Sequence, residues 1–140
     1  MHDQSDVKFD VRRAIVTIAL AALKARGHAS SDDLLRLRTL LLLNPLFATG
    51  SDLEEERLIN FADLMTEERG LDSCLPAAAA LSPALRETAL AITCDALACR
   101  GAFEPRVLTI VDRVARALDL APETVHQILQ VTAIRNRGIE

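Results

Sequence analysis

A chain of 140 residues is long enough for one domain that buries about two thirds of its unfolded surface. Half of the residues are hydrophobic but only four are aromatic, all of them phenylalanine, so the core must be built from aliphatic side chains. The formal net charge of −4 argues against nucleic acid as the main partner, because phosphate binding requires a concentrated basic surface.

The apolar periodicity and the capping residues predict helices throughout the chain, and no segment alternates with the period of two that a strand needs. The predicted helices run, in chain order, from Val7 to Ala25, from Ser30 or Ser31 to just before Asn44-Pro45, from Ser51 or Asp52 to Arg69-Gly70, from about Asp72 to Ala80, from Ser82-Pro83 to Cys99, and onward from Pro105 and from Pro122. Serine or proline at these starts is typical of a helix N-terminus. We therefore expect an all-α fold, a compact bundle of about seven helices. The fifth helix is apolar on several sides and is expected to be central.

An internal repeat becomes visible when the chain is aligned with itself so that Arg12 falls on Arg86. This register, which we call the Arg12/Arg86 alignment, also superposes Ile18 on Ile92, Ala22-Leu23 on Ala96-Leu97 and Arg26-Gly27 on Arg100-Gly101. Beyond the loop at residues 44–50 the offset shortens, and Arg69-Gly70 answers Arg137-Gly138. The sequence thus predicts a single domain, 1–140, with pseudosymmetric halves at about 7–70 and 83–138. We interpret the four Arg-Gly pairs as helix ends, where glycine adopts positive φ cheaply and arginine complements the helix dipole.

The location of the protein is predicted from its cysteines and its apolar runs. Cys74, Cys94 and Cys99 form no C-x-x-C pair and are expected to pack as small hydrophobic residues in a reducing compartment. The first ten residues lack the apolar stretch of a signal peptide. The longest apolar runs are also far shorter than the ~20 residues that span a bilayer. We therefore expect a cytoplasmic protein without a transmembrane segment.

Other candidate sites are weak when taken from the sequence alone. His28 is a lone loop histidine, and His126 has no histidine or cysteine three or four residues away, so neither indicates a transition-metal site. The acidic run Glu54 to Glu56, with Glu67-Glu68, is most simply a solvated surface. We find no phosphate-binding glycine loop and no zinc-protease motif, and therefore predict no catalytic residues and no enzymatic activity.

The second half carries the clearest family pattern. The segment from Leu85 to Leu90, Cys99-Arg100-Gly101, Pro105 with the helix through Leu118, and the closing residues 134–138 resemble the TerB-like family of bacterial tellurite-resistance proteins. The resemblance covers the chain from about Val7 to Gly138. It implies a duplicated helical bundle without catalytic activity, associated with tellurite and other stress responses. It also implies a metal-sensing or scaffolding role beside membrane-associated partners.

The resemblance further implies a cation site, and this chain departs from it. Family members carry an aspartate at the turn after the first helix of each half and an acidic residue about seven positions later. Arg26 and Arg100 stand at the aspartate positions, and Val107 replaces the second acidic residue. A guanidinium only donates hydrogen bonds and cannot bind a metal. We expect Arg26 to pair with Asp33 instead, so that Asp32 and Asp33 are at most a degenerate site for a divalent cation such as calcium, and no other cofactor is expected.

Two main classes of function follow from these observations, beside a residual divalent-cation sensor at Asp32 and Asp33 and a structural bundle that has lost its ligand and kept only its fold. In the first, the chain is a TerB-like module that binds another protein, with a homodimer as one form. In the second, it is a nucleic-acid-associated regulator that reads its target with Arg135, Asn136 and Arg137 and a helix-turn-helix in the second half. The start of the predicted recognition helix, residues 107–111, is apolar, which disfavours base reading. An exposed apolar patch would favour the protein partner, and a continuous basic stripe would favour DNA.

Overall fold

The computed structural model describes residues 4–27, 29–47, 50–98 and 103–138, with side chains from Lys8 onward. Its helices are α1 (Gln4–Arg26), α2 (Ser31–Leu42), α3 (Asp52–Arg69), α4 (Cys74–Ala78), α5 (Pro83–Leu97), α6 (Pro105–Ala117) and α7 (Pro122–Arg135), with a 3₁₀ turn at Gly70–Ser73. The described residues contain no strand, which confirms the all-α class. Within these ranges no helix is long and apolar enough to cross a lipid bilayer.

The fourth predicted helix differs most from its expected form. Instead of one helix over 72–80, the chain makes the 3₁₀ turn Gly70–Ser73 and then the five-residue helix α4. Pro76 is tolerated only in the first turn of an α-helix, so α4 has to begin shortly before it. The other six helices are continuous and at least 12 residues long.

The helix starts follow the capping residues seen in the sequence. The hydroxyls of Ser30 and Ser51 each accept a hydrogen bond of 3.1 Å from the backbone amide three residues later. Ser82 accepts a bond of 3.3 Å from the amide of Leu85, and Pro83 follows it at the first helical position. These bonds satisfy backbone donors that have no partner inside the helix. The predicted caps at Ser30, Ser51 and Ser82 are therefore confirmed.

The helix ends agree with the Arg-Gly interpretation at two positions only. Gly27 directly follows α1 with φ 154°, and Gly70 caps α3 with φ 54°. Gly101 lies outside the described residues. The prediction that Gly138 terminates the last helix is wrong, because α7 ends at Arg135. Asn136 caps it, since both its backbone amide and its side-chain amide donate to the carbonyl of Thr132, at 3.1 Å and 2.8 Å.

Two helices form the centre of the bundle. All ten residues of α1 from Ala14 to Leu23 are buried, and this helix packs against α3, the 3₁₀ turn, α4, α5 and α6. The run Ile92–Ala98 at the end of α5 is also buried, and α5 packs against α1, α2, α6 and α7. The expectation that the fifth helix is central is confirmed, and α1 shares that position.

Two arginines tie these central helices to the loops around them. The Nε of Arg12 donates to the carbonyl of Leu46 at 2.6 Å, and its terminal nitrogen lies 2.6 Å from Glu54 Oε1. Arg86 donates to the carbonyls of Ala78 and Leu81 at 3.2 Å and to that of Leu118 at 3.4 Å. Each guanidinium thus donates to backbone carbonyls at or near helix ends, where carbonyls lack intrahelical partners.

Burial of α5 leads to a stability prediction. Leu90 is completely buried, so Leu90→Ala should lower the free energy of unfolding by about 2–5 kcal/mol through lost burial and a residual cavity. Leu75 on α4 is 66% exposed, and Leu75→Ala should change stability by no more than about 0.5 kcal/mol. Urea denaturation measures both variants. Equal costs for the two would contradict the central position of α5.

Candidate functional site

The predicted cation position lies where the end of α1 meets the start of α2. The guanidinium of Arg26 is 2.7 Å from Asp33 Oδ1. The backbone amide of Ser30 donates to Asp33 Oδ2 at 2.9 Å, which completes a capping box with the Ser30 hydroxyl. The ion pair expected between Arg26 and Asp33 is therefore present, and both carboxylate oxygens of Asp33 accept hydrogen bonds from the protein.

The surroundings of Asp33 hold it in the charged form. Partial burial raises the pKa of this carboxyl, but the hydrogen bonds from Arg26 and from the backbone and hydroxyl of Ser30 together outweigh burial. The resulting pKa lies below the ordinary value of 3.8. The carboxylate thus acts as a permanent partner of Arg26 at neutral pH.

The residues at this position do not fit a calcium site. Calcium takes six to eight oxygen ligands, whereas Asp33 is occupied by donors and Asp32 is exposed to solvent. In the second half Val107 is buried and offers no ligand atom, and Arg100 lies outside the described residues, as does His28. Within the described ranges, no three His, Cys, Asp or Glu residues are grouped so that they could hold a metal ion.

The two described cysteines are core residues. Burial raises the pKa of Cys74 and of Cys94 to about 12, so both are neutral thiols at physiological pH. The interpretation that they pack as small hydrophobic residues is confirmed for these two. Cys99 lies outside the described residues.

The acidic run at the start of α3 is only partly a solvated surface. Glu54 binds Arg12, and Glu55 Oε1 lies 3.9 Å from the Nε of Arg38. Burial raises the pKa of Glu55, as does the negative charge of Asp52, although Arg38 opposes both. Glu56, Glu67 and Glu68, by contrast, are exposed. The prediction of a solvated surface is therefore confirmed for these three glutamates, whereas α3 turns Glu54 and Glu55 toward neighbouring helices.

A polar cluster around Asp95 joins three helices and was not predicted from the sequence. Asp95 is 8% exposed and binds the guanidinium of Arg135, while Asn136 donates to its other oxygen at 3.0 Å. Arg36 of α2 donates to the Asp95 carbonyl at 2.9 Å and also to the side chain of Asn136. A single aspartate inside an apolar helix was the available signal, since a buried carboxylate needs a partner.

This cluster engages residues that the nucleic-acid alternative requires. Arg135 and Asn136, two of its three proposed readers, are bound to Asp95. At the start of α6, Val107 and Ile110 are buried and cannot reach a base edge. Carboxylates also neutralise many of the described basic side chains. The ion pairs are Arg12–Glu54, Arg13–Asp10, Lys24–Asp63, Arg26–Asp33, Arg38–Glu55, Arg116–Asp112 and Arg135–Asp95.

An apolar groove runs along the outer side of α5, between α2 and α7, and we call it the α5 groove. Its apolar lining consists of Leu40 and Leu43, Ala91 and Ile92, and Ile128 and Val131, from α2, α5 and α7 respectively. Two adjoining cavities of about 290 Å³ each form the groove. Leu43 is 80% and Val131 53% exposed, so apolar side chains line an open surface.

A larger cavity, of about 620 Å³, lies between the end of α1 and the middle of α3. Lys24 Nζ is 2.6 Å from Asp63 Oδ1 and also donates to the Asp63 carbonyl at 2.9 Å. Leu20, Leu34 and Ile59 contribute apolar walls. The two charged groups bind each other across the cavity, and the contact holds α1 to α3.

Comparison of the chain with family models, with curated proteins and with solved structures gave no match. The resemblance to TerB-like proteins therefore depends on the residues and spacing already described. A functional conclusion has to be drawn from the surfaces of this chain.

The Asp33 contacts predict a pH-dependent contribution to stability. Asp33→Asn weakens both the ion pair and the capping box and should cost about 0.5–2 kcal/mol at pH 7. Because the pKa of Asp33 is lowered in the folded state, its contribution is present above the ordinary value of 3.8 and is lost as the pH falls through the lowered value. Urea denaturation from pH 7 to pH 2 should show the two proteins converging in acid. A constant difference would contradict this account.

The misfit of the cation site predicts that metals have little effect. Millimolar calcium, magnesium or zinc should leave the melting temperature of the metal-stripped protein nearly unchanged. A ligand at 100 times its dissociation constant would add about 2.7 kcal/mol, a shift of several degrees. Arg26→Asp places a second carboxylate beside Asp33 and should create a calcium-dependent shift that Asp33→Asn removes in the same background. Tight calcium binding by the unaltered protein would contradict the prediction.

The Asp95 cluster predicts an unequal cost for two aspartates. Asp95→Ala leaves Arg135 and Asn136 without their buried acceptor and should lower the free energy of unfolding by about 1–3 kcal/mol. Asp112→Ala removes an ion pair with Arg116 whose two side chains are 59% and 81% exposed, and should cost less than about 1 kcal/mol. Thermal and urea denaturation compare the variants. A similar loss of unfolding free energy in both variants would show that the Asp95 cluster stabilises the fold no more than an exposed ion pair does.

Proposed function

We propose that this chain is a non-catalytic helical module, built from two related halves in the manner of TerB-like proteins, that acts by binding another protein. The observation that carries the proposal is the α5 groove, an open apolar surface between three helices. Exposed apolar patches of this kind mark interaction sites on soluble domains. The association with tellurite and other stress responses is taken from the family resemblance.

The packing of the helices supports two related halves. Within each half the first helix packs on the third, as α1 with α3 and α5 with α7. The second helix of each half packs on the first helix of the other half, as α6 with α1 and α2 with α5. This crosswise exchange is what a two-fold pseudosymmetric bundle would produce.

Matching hydrogen bonds also support the repeat. Arg12 and Arg86, which define the first alignment of the two halves, each donate to a carbonyl just after the second helix of their own half, that of Leu46 and that of Leu118. The two acceptors lie 34 and 32 residues after their arginines, so the two halves share this type of contact although the returning chains differ by two residues.

The Arg26–Asp33 ion pair supports a function without a bound cation. In the family pattern a cation would bridge two carboxylates at the junction of the first and second helices. Here a guanidinium occupies one side of that junction and binds the remaining carboxylate at 2.7 Å. The proposed activity therefore requires no metal.

Isolation of the chain from its own cells, with and without tellurite, tests the proposed function. We expect a protein to co-purify in a fixed ratio and to form the same complex from purified components. Leu43→Glu should weaken that complex more than tenfold if the groove is used, because a buried charge replaces an apolar contact. The control Leu75→Glu changes an exposed leucine of α4 and should have no effect.

The two parts of this experiment fail in different ways. A chain that binds no protein under either condition contradicts the proposed function. A complex that resists Leu43→Glu leaves the function in place and assigns it to another surface. The exposed leucines of α3, Leu53 and Leu64, would then be the next surface to alter.

A further inference from the structure

The groove beside α1 is filled by the chain itself. The 3₁₀ turn Gly70–Ser73 packs against α1 and α3, and α4 packs against α1 and α6. Ser73, Cys74 and Ala78 of this segment are buried. A cavity of about 170 Å³ is left between the segment, α1 and α3. We call residues 70–78 the filling segment.

The α5 residues that line the α5 groove correspond to the α1 residues beside the filling segment. Ala14 and Thr17 of α1 line the small cavity beside the filling segment. The Arg12/Arg86 alignment takes these two positions to Thr88 and Ala91 of α5, and both line the α5 groove. The same part of the first helix is therefore covered in one half and open in the other.

The α7 side also matches, once α3 and α7 are aligned by their ends. Thr66 and Thr132 are both buried, and each donates its hydroxyl to the carbonyl four residues earlier, at 2.7 Å and 2.8 Å. The backbone carbonyl of each threonine also accepts a hydrogen bond from the amide of the residue that caps its helix, Gly70 for Thr66 and Asn136 for Thr132. The third helices therefore superpose with Thr66 on Thr132, which we call the Thr66/Thr132 alignment, and not in the register expected from the Arg-Gly pairs.

This second alignment identifies the remaining wall of the groove. Phe61 and Met65 of α3 line the small cavity beside the filling segment. The Thr66/Thr132 alignment takes them to Gln127 and Val131, and both line the α5 groove. The α5 groove is therefore the open counterpart of the groove that the filling segment occupies.

We infer that the α5 groove receives a short helix from a partner protein, which presents small apolar residues to Ala91 and Val131 and a carboxylate to Arg36 and Arg135. The inference rests on the proposed function, because a partner helix presupposes a partner. The occupant lies on α5 between α2 and α7, as the filling segment lies on α1 between α6 and α3.

The size of the occupant's side chains follows from the filling segment. Its buried residues are small, namely Ser73, Cys74 and Ala78, which lets the segment pack closely on α1. Ala91 in the floor of the α5 groove is also small, so a helix can approach closely. Leu43 at the edge is 80% exposed and is free to cover the outer side of that helix.

The charge and direction of the occupant follow from the two ends of the groove. Gly70 lines the same cavity as Gly27, at the C-terminal end of α1, whereas Ala77 lines the same cavity as Ala14, nearer the start of α1. A helix with the same direction in the α5 groove begins where Arg36 and Arg135 meet Asp95, at two positive charges and one negative. An acidic residue in its first turn would satisfy both this excess positive charge and the helix dipole.

The filling segment itself provides a probe, because it has the expected small residues and Asp72 near its start. We would titrate an acetylated, amidated peptide of residues 70–81, carrying Cys74→Ala, into isotope-labelled full-length protein up to millimolar concentration. Amide chemical shifts should change at Ala91, Ile128 and Val131 and saturate. Binding should be weak, since so short a helix is barely formed in water.

Matched variants decide whether the contact is the one described. Val131→Glu in the protein should weaken binding more than tenfold, and Leu75→Glu should leave it unchanged. A peptide with Asp72→Lys should bind roughly threefold more weakly, because it loses the attraction of two arginines and of the helix dipole. A shuffled peptide of the same composition should produce no saturable change.

A protein that carries the peptide on its own chain tests the same contact without relying on the weak affinity of the free peptide. Residues 71–81 would be added directly after Gly138, where attachment raises the effective concentration to the millimolar range. The amides of Ala91 and Val131 should then shift in the same direction as in the titration, and Val131→Glu should reverse the shift. The absence of any change in the tethered protein would overturn the inference.

Other outcomes separate the inference from the proposed function. Shifts at the groove that grow with protein concentration, in the absence of peptide, would assign the groove to a second copy of this chain and overturn the partner helix. A cellular partner that binds Val131→Glu as well as it binds the unaltered protein would also overturn the inference but leave the proposed function intact. Failure to bind any cellular protein would contradict the proposed function and, with it, the partner helix, whereas peptide binding would still show that the groove accepts a short helix.

Discussion

The burial of α1 on every side is the constraint on which the arrangement depends. An ordinary surface helix buries one stripe, but ten consecutive residues of α1, from Ala14 to Leu23, are buried. Such a helix needs neighbours on all faces, and α3, α5, α6, the 3₁₀ turn and α4 provide them. Because these elements are used to cover α1, α5 is left with α2 and α7 on its outer side. These two helices flank α5 without closing over it, and the α5 groove is the consequence.

Polar groups inside this aliphatic bundle are placed where the backbone lacks partners. Arg12 and Arg86 extend from the central helices and donate to carbonyls at helix ends and in loops. The carboxylate of Asp95 binds Arg135 and Asn136 at the end of α7, and its backbone carbonyl accepts a hydrogen bond from Arg36. Among the described residues, every buried side-chain nitrogen and oxygen has a hydrogen-bond partner. A guanidinium is suited to this role, because its five donors reach several carbonyls at once and it keeps its charge. These contacts fix the positions of the loops around the central helices.

Local signals predicted most helix starts, and distant contacts account for what was missed. The caps at Ser30 and Ser51 depend on residues only three positions away, so the sequence contains the whole interaction. The end of α7 was misplaced because Asn136 caps the helix with its own side chain before Gly138 is reached. The polar cluster and the α5 groove join residues of α2, α5 and α7 that lie far apart in the chain, and periodicity along one helix carries no information about such neighbours. At the predicted cation position the ion pair was foreseen, because Arg26 and Asp33 are only seven residues apart.

An ion pair between two side chains, and not an exchangeable ion, joins the end of α1 to the start of α2 at Arg26 and Asp33. A bound ion can leave, so a junction held by one responds to ion concentration, in the way that calcium sites do. The guanidinium of Arg26 is attached to the chain and remains charged, and the lowered pKa of Asp33 keeps its partner charged as well. Under the proposed function, recognition has to occur at a surface that is open before binding, and the α5 groove has that property.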